Sequence, residues 1–141
     1  MPIEIQISDT QGHLKINQAK IARIAETVLV AENRPSASIS IALVDNDTIH
    51  RLNRLHLGHD WSTDVITFPL SDPDDDELSG ELVISTEMAV ASAREIGHDP
   101  LDELALYIVH GLLHLCGYDD SNEEQSDAMN RRQTEIWRTL A

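Results

Sequence analysis

The sequence predicts an α+β fold in one domain spanning residues 1–141. It should be a four-stranded mixed sheet with helices packed on it, in the order β-α-β-α-β-β-α-α-α. Three observations predict this. Several short stretches are apolar at every second residue or rich in β-branched residues, the mark of strands. Others carry apolar residues at steps of three and four, the period of an amphipathic helix. The two kinds are interspersed along 141 residues, a length that suits one core, with no internal repeat and no linker.

Each element has its own signal. Ile3, Ile5 and Ile7 alternate with Glu4 and Gln6 and give a first strand, followed by a turn at Asp9–Gly12. Ile21, Ile24, Ala25, Val28 and Leu29 mark a helix from about Asn17 to Glu32, ended by Asn33-Arg-Pro35-Ser. Ile39, Ile41 and Leu43 place a second strand near Ser38–Val44. Asp45 or Asp47 then caps a helix to Leu55, with Ile49, Leu52 and Leu55 on its inner side. After a loop at 56–63, the β-branched and aromatic run Asp64–Phe68 is a third strand, stopped by Pro69. Ser71–Glu77 is a solvated acidic loop and Gly80–Thr86 a fourth strand. Glu87–Gly97 is an Ala-rich helix closed by its glycine. Asp99-Pro100 opens the next helix, Leu101–Cys116, with proline in the first turn. Ser121 and Glu124 have the spacing of a capping box for a last helix to Leu140, with Met129, Ile136 and Trp137 among its apolar contacts.

Composition narrows the function classes. Hydrophobic residues make up 41% and aromatics only 4%, so the core must be mostly Ile, Leu, Val and Ala. No apolar run approaches the roughly 20 residues of a membrane span. The start Met1-Pro-Ile-Glu-Ile has neither the basic nor the apolar part of a signal peptide, so the cytoplasm is the expected location. The single Cys116 excludes an internal disulfide framework and, flanked by apolar residues, reads as core. Ten Lys and Arg against 25 Asp and Glu give a net charge of -15, a field that repels nucleic acid at long range. Any RNA contact must therefore come from a local basic patch or a bound cation. Strong acidity also suits plain solubility.

The chemistry concentrates in His110-Gly-Leu-Leu-His114-Leu-Cys-Gly117-Tyr118-Asp119-Asp120. Leu101, Leu104, Ala105, Ile108, Leu112 and Leu115 form one stripe of the helix, and the two histidines lie roughly opposite, beside Leu106 and Tyr107. A helix apolar most of the way round is buried or lines a cleft, so both imidazoles need partners. The i, i+4 step lets them share one ion. Gly117 can reverse the chain and bring Asp120 back as a third ligand. Three ligands and a water form the open arrangement of catalytic zinc sites. The same pattern also suits two core histidines held by backbone carbonyls, with Asp119 and Asp120 capping the last helix. Gly111 stands where zinc proteases with H-E-x-x-H carry their glutamate base. A metallopeptidase-like hydrolase is therefore an alternative without its usual base.

H-G-L-L-H-L-C-G-Y-D-D at 110–120 closely resembles the H-G-x-L-H-L-x-G-Y-D-H signature of the YbeY family. Leu52-Asn53 with Ser62-Thr-Asp-Val-Ile-Thr-Phe-Pro69, and Gly80-Glu-Leu-Val-Ile-Ser85, resemble two further blocks of that family in order and spacing. The resemblance implies a compact α+β fold and one zinc-like ion. It implies cleavage of single-stranded RNA in ribosomal RNA maturation, at the 3′ end of 16S rRNA, with the small ribosomal subunit or assembly factors as partners. His110 and His114 carry over as metal ligands. Asp120 stands where the family has its third histidine, and Leu57 where it has an arginine that handles phosphate. Arg51 and Arg54 on the preceding helix, with His56 and His59 in the following loop, are the candidate substrate contacts. Glu81, with His114, is the candidate catalytic pair. The two departures leave a third reading, a non-catalytic ribosome-assembly factor with a structural metal. Arg131, Arg132 and Arg138 read as a solvated helix face.

Overall fold

The computed structural model describes residues 3–57 and 64–140, apart from the side chains of His56 and Leu57. The elements are β1 (Ile3–Asp9), α1 (Gln18–Ala31), β2 (Ala37–Val44), α2 (Asn46–Leu57), β3 (Val65–Pro69), β4 (Leu78–Ser85), α3 (Thr86–Ile96), α4 (Pro100–Leu115) and α5 (Glu123–Leu140), in the expected order. The sheet order is β1-β2-β4-β3. β1, β2 and β4 run parallel and β3 is antiparallel to β4, so the sheet is mixed, as expected.

The pleat divides the side chains between two faces. Ile39, Ile41, Leu43, Leu82 and Ile84 are fully buried and join the core beneath α1 and α4. Their neighbours turn the other way. Val44, Ile66 and Val83 pack against Ile49 of α2, with Leu52 and Phe68 alongside. α2 and α4 therefore cover opposite faces of the sheet. Among the described residues the α2 side is only partly covered: Gln6, Ser40 and Glu81 lie in one cross-strand row there, ending at Phe68.

One open choice is decided and several local expectations are corrected. Asp45 rather than Asp47 caps α2, its Oδ1 accepting the Thr48 N–H at 2.8 Å. Leu55 is 67% exposed, because six residues carry it about 120° round the helix from buried Ile49. Asn53 takes the inner place instead. Pro69 belongs to β3 as its last residue, opposite Gly80; β3 is an edge strand, where a missing N–H is tolerated. Asn122, not Ser121, caps α5: its Oδ1 accepts the Gln125 N–H at 2.8 Å, while the Ser121 hydroxyl bonds Asp119 and Gln125 side chains. No helix among the described residues is long and apolar enough to cross a membrane.

One close approach fixes the height of α4 above the sheet. A Cβ at Gly80 would lie 2.7 and 2.8 Å from the two terminal carbons of Leu115. Gly80→Ala is expected to cost about 1–3 kcal/mol through overpacking. Urea unfolding checks this, with Gly12→Ala, where nothing lies within 4 Å, as the neutral comparison.

Candidate metal centre

α4 begins with the Asp99 side chain accepting the Leu101 N–H at 2.8 Å and Pro100 in the first turn. Its residues are buried nearly all round, including Leu104, Ile108, Leu112 and Leu113 at 0% exposure. His110 and His114 are half-buried interruptions at its C-terminal end. The helix ends as a Schellman motif: the Tyr118 N–H bonds the Leu113 carbonyl and the Gly117 N–H the His114 carbonyl, both at 3.0 Å. Gly117 has φ 106°, a conformation that costs little only without a Cβ. This turn reverses the chain and points the Tyr118 carbonyl back at His114.

That carbonyl sets the chemistry of one ring. His114 Nδ1 lies 3.2 Å from the Tyr118 oxygen, which can only accept, so Nδ1 carries the proton. His110 Nδ1 lies 2.7 Å from Gln133 Oε1 on α5, and with the amide in this orientation the oxygen accepts and Nδ1 carries the proton. In the neutral rings both Nε2 atoms are then bare, and they face each other at 3.2 Å. The rings meet edge to face, 4.7 Å apart at 80°. Two lone pairs so placed repel unless a cation stands between them. Pairing each ligand's other nitrogen with an acceptor is how metal-binding imidazoles are oriented.

Asp120 completes the group. Its Oδ2 lies 3.8 Å from His114 Nε2, and one ligand atom from each of His110, His114 and Asp120 lies within 4.8 Å of the others. Zinc–ligand bonds of about 2.0–2.1 Å in a tetrahedron need ligand atoms roughly 3.3 Å apart. The imidazole pair meets that spacing. The carboxylate is about half an ångström wide of it toward His114, within about 1.5 Å of it toward His110, and 53% exposed. These three residues thus fit a divalent ion. Asp119 is occupied: its oxygens accept the Asp120 N–H and the Ser121 hydroxyl and hold the turn.

The pair has an electrostatic consequence. Burial, then the neighbouring His110, hold the His114 pKa below its ordinary 6.5, while Asp120 opposes them. A histidine depressed in the folded state takes up its proton first when unfolded. His114 therefore removes no stability above 6.5 and removes it progressively as pH falls through that value. The metal-free protein is expected to lose stability between about pH 7 and 5 more steeply than His114→Gln, as read from urea unfolding across that range.

The remaining candidates are dispersed. Glu81 lies on the α2 face of β4, since adjacent Leu82 faces α4, so the pleat turns its side chain away from the histidines. Arg51 and Arg54 are exposed on α2, around a shallow groove with Asp47 and His50. His59 and the side chain of His56 lie outside the described residues. Gly111 is buried against Leu82 and Val65, so the position of the protease base points into the core. Cys116 packs against the core, and burial pushes its thiol up to about 11. Gln133 is the partner that sequence reasoning missed. A signal existed: it falls in the inward stripe of α5, between buried Met129 and Ile136, where a polar residue needs an explanation.

Known proteins place this geometry in context. Residues 6–141 match the family model described as Endoribonuclease YbeY. A protein of Carboxydothermus hydrogenoformans bearing that name is 38% identical over 137 residues, covering 96% of each chain. Its namesake in Pelotomaculum thermopropionicum is 37% identical over 142 residues, covering 94% of this chain and 93% of that one. The solution structure of a Thermotoga maritima protein, TM1509, superposes with a TM-score of 0.69 at 27% identity, over 96% of this chain and 88% of that one.

Proposed function

Because the chain belongs to the YbeY family, we propose that it is a metal-dependent endoribonuclease that cuts single-stranded RNA. In this reading it serves ribosomal RNA maturation in the cytoplasm, with 16S rRNA and the small ribosomal subunit or its assembly factors as partners. The observation that supports it most is the histidine pair with both Nδ1 protons committed outward and both Nε2 atoms turned to one point beside Asp120.

His110, His114 and Asp120 would hold the ion, zinc by preference. A bound zinc ion supplies a Lewis acid for phosphate and lowers the pKa of its water to about 7. Gln133 and the Tyr118 carbonyl keep the imidazoles in the ligating tautomer. With a chain charge of -15, a local cation is what makes the approach of a polyanion favourable. Arg51 and Arg54 are the proposed phosphate contacts along α2, with His56 and His59 as further substrate contacts. Glu81 lies on the other face of the sheet from His114 and is not placed to act as a base beside it.

The test is direct. Purified protein is incubated with a 5′-labelled single-stranded RNA, with chelator, and with zinc restored. Cleavage that disappears with chelator and returns with zinc is expected; no cleavage at any zinc level overturns the nuclease reading. Two observations favour the non-catalytic alternative: Arg51 and Arg54 ride on the helix covering the face opposite α4, and Leu57 replaces the family's arginine. Zinc binding without cleavage would establish that alternative.

A further inference from the structure

Glu32 is far from the candidate ligands in sequence, yet it contacts Tyr118, whose carbonyl supports His114, and Arg132, the chain neighbour of the Gln133 that supports His110. It ends α1, where Asn33 adopts φ 58° and the Arg34 N–H turns back to the Leu29 carbonyl at 2.8 Å. This fixes the side chain above α5. The carboxylate is only 11% exposed, and each of its oxygens is used. Oε2 accepts the Tyr118 hydroxyl at 3.2 Å, and Oε1 accepts Arg132 Nε at 2.6 Å. A second guanidinium nitrogen of Arg132 donates to the Ala31 carbonyl at 2.9 Å, so Arg132 grips the end of α1 twice.

These partners are not arbitrary. Tyr118 is the residue whose carbonyl takes the Nδ1 proton of His114. Arg132 is the chain neighbour of Gln133, which takes the Nδ1 proton of His110. One carboxylate thus ties together the two segments that set both imidazole tautomers. The Arg132 guanidinium is pushed up by its bond to Glu32 and so stays a donor. We propose that Glu32 is a positioning residue for the candidate metal centre, holding the Tyr118 turn and the α5 segment at Gln133 in register so that both Nε2 atoms point to one place. This rests on reading the histidine pair as a metal site.

The test compares Glu32→Gln with Glu26→Gln, an exposed carboxamide change on the same helix. An amide offers one oxygen, so it turns an NH2 toward one of two donors that a carboxylate satisfies together. Two readouts are taken: the zinc dissociation constant by chelator competition, and the imidazole 15N signals of the metal-free protein, which report which nitrogen carries the proton. Glu32→Gln is expected to weaken zinc binding about tenfold or more. It should also move His114, and to a smaller extent His110, out of the pure Nδ1–H form; Glu26→Gln should do neither. Tyr118→Phe should shift His114 alone, and Glu32→Gln added to it should have less than its separate effect. Unchanged imidazole signals and zinc affinity in Glu32→Gln, with only a lower melting temperature, overturn the proposal. Should the wild-type protein bind no zinc, the metal reading fails while the metal-free signals still decide the positioning role. Should Glu32→Gln not fold, unchanged His114 signals in Tyr118→Phe overturn it.

Discussion

His114→Ala is expected to abolish both zinc binding and RNA cleavage. His114 Nε2 is the atom that the other two candidates share: it lies 3.2 Å from His110 Nε2 and 3.8 Å from Asp120 Oδ2. Removing it leaves a half-buried imidazole and an exposed carboxylate with nothing between them. Loss of a supporting partner alone costs roughly 10–100-fold in metal affinity, so loss of the ligand itself should exceed about 100-fold. Asp120→Ala should cost less, because that carboxylate is 53% exposed and water can replace it. Calorimetric zinc titration and the labelled-RNA assay check both variants. Wild-type zinc affinity in His114→Ala would remove the site from this end of α4.

Gly111→Glu is expected to prevent folding. A Cβ at Gly111 would stand 2.9 and 3.2 Å from the terminal carbons of Leu82 and 3.3 Å from Val65 Cγ2. Alanine there should be tolerated at about 1–3 kcal/mol or less, since Leu82 can give and the helix gains propensity. Glutamate adds a carboxylate with no buried partner, a further several kcal/mol. The sum is comparable with the whole stability of a domain of this size, about 5–15 kcal/mol. Circular dichroism and a missing cooperative unfolding transition would report it. A folded Gly111→Glu protein of ordinary stability would mean that this position does not face the core. The result bears on chemistry as well. The glutamate that serves proteases with H-E-x-x-H cannot be accommodated here, because the helix turns that position onto β3 and β4.

Much of this was legible in the residues. The i, i+4 histidines, the glycine after them and the returning aspartate are a local pattern, and local geometry brings the three side chains within 4.8 Å. Strand and helix order followed from periods of two and of three to four. The errors were also local: Leu55 was assigned inward although it lies a third of a turn from Ile49, and Ser121 was chosen as a cap over its neighbour Asn122.

Some properties depend on pairings that no single segment contains. Whether Glu81 faces the histidines depends on which way the pleat of β4 points once it lies between β2 and β3. That the two imidazoles carry their protons on Nδ1 depends on Gln133, 23 residues beyond His110, and on the Tyr118 carbonyl. That α5 presents Gln133 correctly depends on Arg132 meeting Glu32, 100 residues away. The sequence by itself determined the identity and spacing of the candidate ligands, because one helix and one turn suffice to bring them together. The tertiary structure decided their tautomers and their supports, because these are set by contacts between elements distant in the chain.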